Sequence, residues 1–298
     1  MYLDHFGLTE LPFNITPDTS FFFASRSYQE ALNTLLIAVS AGEGFIKITG
    51  EVGAGKTLLC RKLMASLGPE YKVAYLPNPY LEPRSLLMML ATELSISLPE
   101  GAGQHEVLNA LNLGLLEFAR QETRVVVCLD EVQAMPIETL EALRLLSNLE
   151  TEKRKLLQVV IFGQPELEDK LSHPSIRQLR QRISFDYKLD RMGLNELHAY
   201  LMHRLFIAGY RGPRLFTGAA LWWLHAYARG TPRLINILAH KSLLAAFGRG
   251  QHSVGMREVR AAAADTCAVG LRWRPLWLGS ALALVLGIAG ATLWMVQK

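Results

Sequence analysis

Five short apolar stretches punctuate the first two thirds of the chain, and after them no more appear. They are Phe45–Thr49, Lys72–Leu76, Arg124–Leu129, Leu157–Phe162 and Ile183–Leu189. Each is short and rich in β-branched or aromatic residues, which predicts a strand. Between them the apolar positions recur three and four apart. This predicts an amphipathic helix near Tyr28–Ser40, a helix from Leu58 to Met64, and helices over Ser85–Leu94 and His105–Arg120. Strands alternating with helices predict a parallel sheet covered on both faces. Past Asp190 only the helical period remains, over Gly193–Gly209, Thr217–Arg229, Arg233–Gly248 and Gly255–Ala264. The pattern is that of an α/β core followed by an all-α lid.

One further pattern closes the chain. Residues 275–296 (PLWLGSALALVLGIAGATLWMV) carry no charged side chain. As a helix they would extend roughly 33 Å, enough for a hydrocarbon core of about 30 Å. Trp273, Trp277 and Trp294 stand near its two ends, where indole rings favour the membrane interface. Arg272 and Arg274 precede it, with Arg249, Arg257 and Arg260 further upstream, an asymmetry that predicts a cytoplasmic N-terminal body. Gly279, Ala283, Gly287 and Ala291 repeat every fourth residue and would permit close helix–helix approach. The segments are then an aromatic arm and helix (1–42), an α/β core (43–190), a helical lid (191–266), a linker (267–274) and a transmembrane helix (275–296). This predicts a single-pass tail anchor in the inner, cytoplasmic membrane.

Composition adds little to this and removes some options. At 298 residues there is room for one or two domains with a sizeable core. Half of the residues are hydrophobic, an excess that the C-terminal run explains. A net charge of +4 does not by itself argue for nucleic acid. Cys60, Cys128 and Cys267 lie far apart with no C-x-x-C spacing, so they read as reduced thiols, not as a disulfide frame or a zinc site. The N-terminus shows no secretory signal, and the histidines show no metal-ligand spacing.

The chemistry begins at the end of the first strand. Gly50-Glu51-Val52-Gly53-Ala54-Gly55-Lys56-Thr57 fits G-x-x-x-x-G-K-[ST] at every fixed position. Its glycines let successive N–H groups turn toward a phosphate, and the following helix adds its partial positive charge. Lys56 supplies a cation for the β- and γ-phosphates, and the Thr57 hydroxyl a ligand for Mg²⁺. A glycine-rich turn with a chance lysine would not need a strand before it and a helix after it. Residues Gly50 to Thr57, with Leu58 beyond them, are therefore the candidate ATP-binding residues. The strand Val125–Leu129 ends in Asp130-Glu131. Asp130 is placed to join Thr57 in the Mg²⁺ shell, and Glu131 to act as general base for the attacking water.

Two more stretches carry a resemblance. Phe162-Gly163-Gln164-Pro165 ends the fourth strand, and Gly230-Thr231-Pro232-Arg233-Leu234-Ile235-Asn236 opens a lid helix. With the phosphate loop and the acid pair, these resemble the sensor 1 and sensor 2 elements of AAA+ ATPases. The resemblance implies that Gln164 orients water and that Arg233 contacts the γ-phosphate and couples hydrolysis to the lid. Gln164 departs from the Asn, Ser or Thr usual at sensor 1. The resemblance also implies an arginine finger ahead of the fifth strand, completing a neighbouring subunit's site. Arg182 is first choice there and Arg180 second, set against a merely solvated helix face.

The arm narrows the resemblance. Tyr2-Leu3, Phe6-Gly7-Leu8, Pro12-Phe13, Thr16-Pro17-Asp18, Phe21-Phe22-Phe23 and Gln29-Glu30-Ala31-Leu32 are similar to the ExeA/GspA-type secretion ATPases. The similarity covers about residues 1–266. It implies a membrane-anchored AAA+ ATPase that forms a homo-oligomer and hydrolyses ATP with Mg²⁺ to support a type IV-like (MSHA) pilus or related secretion machinery at the inner membrane. ExeA-type proteins continue into a peptidoglycan-binding domain; this chain ends two residues after the apolar run, so wall binding is not carried over. The alternative is a DNA-transaction ATPase, invited by basic lid residues such as Arg229 and Lys241, though no DNA-reading module fits between Ala264 and Arg272 and nucleic acid is not the expected partner. A nonhydrolysing scaffold is discouraged by the complete Asp130-Glu131 pair.

Overall fold

Strand β1 (Phe45–Thr49) and strand β4 (Leu157–Gly163) are buried at every position, which only the centre of a covered parallel sheet allows. Both lie in a five-stranded sheet of order β2-β3-β4-β1-β5, with β2 at Tyr71–Leu76, β3 at Arg124–Leu129 and β5 at Ile183–Lys188. All pairings are parallel. On edge strand β5, burial alternates residue by residue, as one covered face requires. The computed structural model describes residues 2–14, 19–77, 80–146, 150 and 155–267.

Two apolar layers sandwich the sheet. Helices α2 (Arg26–Ala41) and α3 (Lys56–Ser66) press Leu35, Val39, Leu59 and Leu63 onto Ile46, Ile48, Val126 and Phe162. The opposite face is covered by α4 (Pro83–Glu93), α5 (Gln104–Arg120) and α6 (Ile137–Leu146), through Leu86, Leu90, Leu111, Leu115 and Leu143. Two short helices, α7 (Leu167–Leu171) and α8 (Arg177–Gln181), complete that side before β5. Cys60 and Cys128 are both buried behind the phosphate loop, and their mutual hydrogen bond and burial push the Cys60 thiol far up, so it packs as an inert thiol.

The lid comprises α9 (Leu194–Ile207), α10 (Gly218–Ala228), α11 (Pro232–Gly248) and α12 (Met256–Ala264). Its core contains residues from the other end of the chain. Tyr2, Phe6, Leu8, Phe13 and Phe21, with a one-turn helix α1 (Leu3–Phe6), are buried among Leu197, Leu201, Leu224, Leu238 and Leu243. Hydrogen bonds hold this arm in place. Thr9 N–H donates to Ala208 O at 2.8 Å, and the Tyr2 hydroxyl meets His240 Nδ1 at 2.9 Å. The aromatic arm therefore packs with the lid, while α2, which follows it directly, packs on the sheet.

Arg191 and Met192 carry the chain from β5 into the lid. Met192 N–H donates to Gly230 O at 2.9 Å. Gly230 has φ +71°, and a Cβ there would lie 2.3 Å from Met192 O, so backbone passes backbone where only glycine fits.

The strands and long helices lie where the period placed them, within one or two residues at most ends. Among the described residues no helix is long and apolar enough to cross a membrane. The expected span 275–296, and the linker from residue 268 onward, lie outside the described residues.

Because Phe13 is fully enclosed by lid residues and meets Phe216 edge-on at 6.1 Å, Phe13→Ala should destabilise the fold by about 3–5 kcal/mol. Chemical denaturation of the two proteins would measure it.

Candidate nucleotide-binding site

At the C-terminal edge of the sheet the loop after β1 is held before it turns. Gly50 N–H donates to Gly163 O, at the end of β4, at 3.2 Å. Gly53 (φ +77°) and Gly55 (φ +95°) take left-handed conformations, and Gly55 caps α3. Space would exclude a side chain as well. A Cβ at Gly53 would lie 2.5 Å from Arg233 Cβ, and one at Gly55 would lie 2.6 Å from the Tyr28 hydroxyl. That hydroxyl donates to Gly55 O, so α2 supports the loop from behind.

Lys56 is 4% exposed, and its Nζ donates to Gly50 O at 2.8 Å and Glu51 O at 3.2 Å. Burial lowers its pKa, opposed by the carboxylates of Glu131 and Asp130. Thr57 Oγ1 donates to Asp130 Oδ2 at 2.5 Å. Asp130 Oδ1 accepts the Glu131 N–H at 2.9 Å. Burial raises the Asp130 pKa, and these hydrogen bonds counter it. The hydroxyl of Thr57 and the carboxylate of Asp130 thus converge as two hard oxygen donors, the donor chemistry that Mg²⁺ takes.

Glu131 has φ +56° and ψ +37°, a left-handed conformation that costs a non-glycine residue on the order of 1–2 kcal/mol. It opens a 3₁₀ turn over Val132–Ala134 and stands half-buried on the cavity wall. Its Oε2 accepts Gln164 Nε2 at 2.9 Å and Gln133 Nε2 at 2.5 Å. Gln133 Oε1 in turn accepts the main-chain N–H of Gln164 at 2.9 Å. The sequence pattern had not singled out Gln133.

Above this floor lies a cavity of about 510 Å³, within the range of small-molecule sites. Val52, Gly53, Gly55, Lys56, Thr57 and Leu58 line it from the loop, with Glu131 beside them. The lid closes the other side. Arg233, in the first turn of α11, donates its N–H to Gly53 O at 3.3 Å and lines the cavity with Asn236. Three further lining residues had not been anticipated, Asn14 of the arm and two residues of α9, Tyr200 and Arg204. Arg204 Nη1 donates to the Tyr200 hydroxyl at 2.9 Å, which donates to Asn236 Oδ1 at 2.7 Å. The only sequence signal of Tyr200 and Arg204 was polarity inside an otherwise apolar helical period.

The remaining candidates stand outside the cavity wall. Gly50 and Ala54 shape the loop, Glu51 pairs with Arg191 at 2.8 Å, and Asp130 and Gln164 sit behind Thr57 and Glu131. Arg180 is exposed and Arg182 half-buried at the end of α8; neither lines this chain's cavity.

Residues 39–171 match the family model described as an AAA domain, a stretch running from the end of α2 to the end of α7. The matched stretch holds the phosphate loop and four of the five strands, so the chain has the parallel-sheet P-loop fold of an AAA domain. Over 293 residues it is 40% identical to general secretion pathway protein A of Aeromonas hydrophila, covering 98% of this chain and 52% of that protein. The chain is a relative of that protein and spans about half its length. Among solved structures, Cdc6p of Pyrobaculum aerophilum superposes with TM-score 0.64 at 19% identity, over 83% of this chain and 70% of that one. The ORC2 protein of Aeropyrum pernix, in its ADPNP–ADP complexes, gives 0.59 at 18%, over 86% and 73%. The RuvB Holliday junction branch migration motor of Thermotoga maritima gives 0.56 at 17%, over 85% and 73%. At these identities the likeness speaks to the fold alone.

Among the described residues that line the cavity, Lys56 is the only lysine. Charge-assisted hydrogen bonds contribute about 1.5–3 kcal/mol each, so Lys56→Ala should weaken nucleotide binding by about tenfold or more. Titration calorimetry with ATP would read the change directly.

Proposed function

We propose that this chain binds ATP with Mg²⁺ and hydrolyses it, as an ATPase serving membrane-associated secretion machinery. The observation that carries the reading is that Thr57 and Glu131 share the wall of the cavity that the phosphate loop lines, with Asp130 directly behind Thr57 and hydrogen-bonded to it. Loop N–H groups and Lys56 hold the phosphates. Thr57 and Asp130 hold the Mg²⁺, which when bound neutralises charge on the phosphate oxygens. Glu131 takes the proton of the attacking water. Gln164, hydrogen-bonded to that carboxylate, orients the water.

Arg233 is the lid's reporter on the γ-phosphate. It opens α11, whose buried residues sit at the centre of the lid, so a shift at its first turn carries into the whole lid. Arg182, or else Arg180, serves the site of a neighbouring copy. Their position outside this chain's own cavity supports action in trans and hence a homo-oligomer.

The secretion role rests on the 40% identity to general secretion pathway protein A. The finer reading, an MSHA-type pilus as the machine, rests on the arm and motif resemblance, and the inner-membrane anchor rests on the apolar run 275–296. The DNA-transaction alternative rests only on the fold that this chain shares with Cdc6p, ORC2 and the RuvB branch migration motor.

Purified Glu131→Gln should bind ATP normally and hydrolyse it about 10²- to 10⁴-fold more slowly, the usual contribution of a general base. Undiminished turnover would discard Glu131 as the base. For the arginines, Lys56→Ala and Arg182→Ala subunits should each be inactive alone and recover turnover when mixed. If neither this mixture nor the one with Arg180→Ala regains activity, the arginine does not act in trans.

A further inference from the structure

The turn that follows the acid pair does more than lead the chain away from the sheet. Val132 and Met135 are both fully buried, and Met135 O accepts the Lys170 ammonium of α7 at 2.8 Å. Within the turn, Ala134 N–H donates to Glu131 O at 2.9 Å and Met135 N–H to Val132 O at 3.0 Å. The 3₁₀ turn is thus fixed at both ends and directs Gln133 back toward Glu131 and the end of β4. The Gln133 amide lies between the Glu131 carboxylate and the main-chain N–H of Gln164, at 2.5 Å and 2.9 Å.

The chemistry of those two neighbours leaves one amide orientation. A carboxylate requires a donor and a main-chain N–H requires an acceptor, so nitrogen faces Glu131 and oxygen faces Gln164. No other neutral side chain of this reach offers both at its tip. Glutamate would set carboxylate against carboxylate, and lysine could not accept. Gln164 also bonds Glu131, but through its own side chain. Gln133 is the group that connects the carboxylate to the main chain at the end of a central strand.

We infer that Gln133 is a positioning residue for Glu131, clamping the carboxylate to the end of β4 so that its second oxygen faces the water that attacks the γ-phosphate. Among the described hydrogen bonds both donors reach Oε2, and none is made to Oε1. One oxygen is held and the other is presented. Glu131 already stands in a left-handed backbone conformation and its side chain has three rotatable bonds, so without the clamp it would spend much of its time in unproductive rotamers.

The inference rests on Glu131 being the general base, and the experiment separates the two. Gln133→Leu keeps the volume and removes both hydrogen bonds. Its kcat for ATP should fall by about tenfold to a hundredfold, the worth of a hydrogen bond to a charged group. Its Kd for ATP, measured by calorimetry, and its thermal midpoint should stay near those of the parent. Placed on Glu131→Gln, the same substitution should leave the residual turnover unchanged, because the group it positions has gone. That non-additivity is a readout that a merely structural turn residue would not give. A Gln133→Leu protein with parental or raised kcat overturns the clamp while leaving the base in place. Equal multiplicative losses in both backgrounds also overturn it, and full turnover in Glu131→Gln overturns base and clamp together. Should Gln133→Leu fold poorly, Gln133→Glu, which keeps the acceptor for Gln164 N–H and reverses the contact to Glu131, should show the same loss of kcat with ATP affinity retained; parental kcat in that variant would overturn the clamp as well.

Discussion

The hydrogen bond between Thr57 and Asp130 is the constraint to which the rest of the architecture answers. The two residues are 73 apart in sequence and follow β1 and β3, which are not neighbours in the sheet. Strand β4 lies between them, so their strands run about 10 Å apart, two strand spacings. The contact exists because the phosphate loop leaves β1 and crosses above the end of β4. At that crossing Gly163 O accepts Gly50 N–H, and a Cβ at Gly163 would meet Leu167 Cδ2 of α7 at 2.6 Å. All five strands must also be parallel, because one reversed strand would carry its contribution to the opposite edge.

The lid is joined to this edge through few atoms. Arg233 N–H meets Gly53 O, Arg191 meets Glu51, and Gly230 lies against Met192. All three contacts involve the phosphate loop or the strand-to-lid passage, so a change at the loop is felt first at the lid's hinge. The aromatic arm belongs to the same account. It is buried in the lid, while α2, continuous with it, supports the loop through Tyr28. The first residues of the chain therefore touch both bodies that nucleotide would draw together.

Charge in the interior is handled by pairing. Lys47, in the middle of central strand β1, is nearly inaccessible, yet it reaches Glu168 and Asp186, whose side chains remain largely in solvent. A cation on a central strand persists only with such partners. Gln158 on β4 likewise donates to Val39 O and Glu43 O. Neither contact was visible in the one-dimensional pattern, which marked both residues only as polar interruptions of a strand.

Much of this molecule was legible from local order. A strand, a glycine loop and a helix stand consecutively in the chain, so the proposed phosphate-binding role of Gly50–Thr57 follows from spacing alone. The strand periods and the lid helices were likewise local. Helix α6 was passed over although Leu140, Leu143 and Leu146 carry its period, and α1, α7 and α8 are too short for a period to register. The chain order could not disclose what depends on two distant segments meeting: the arm inside the lid, Tyr200 and Arg204 on the cavity wall, and Gln133 between Glu131 and Gln164. Spacing determines which groups a loop presents. Only the strand order and the packing of the lid determine which groups face them, because those contacts join residues tens to hundreds of positions apart.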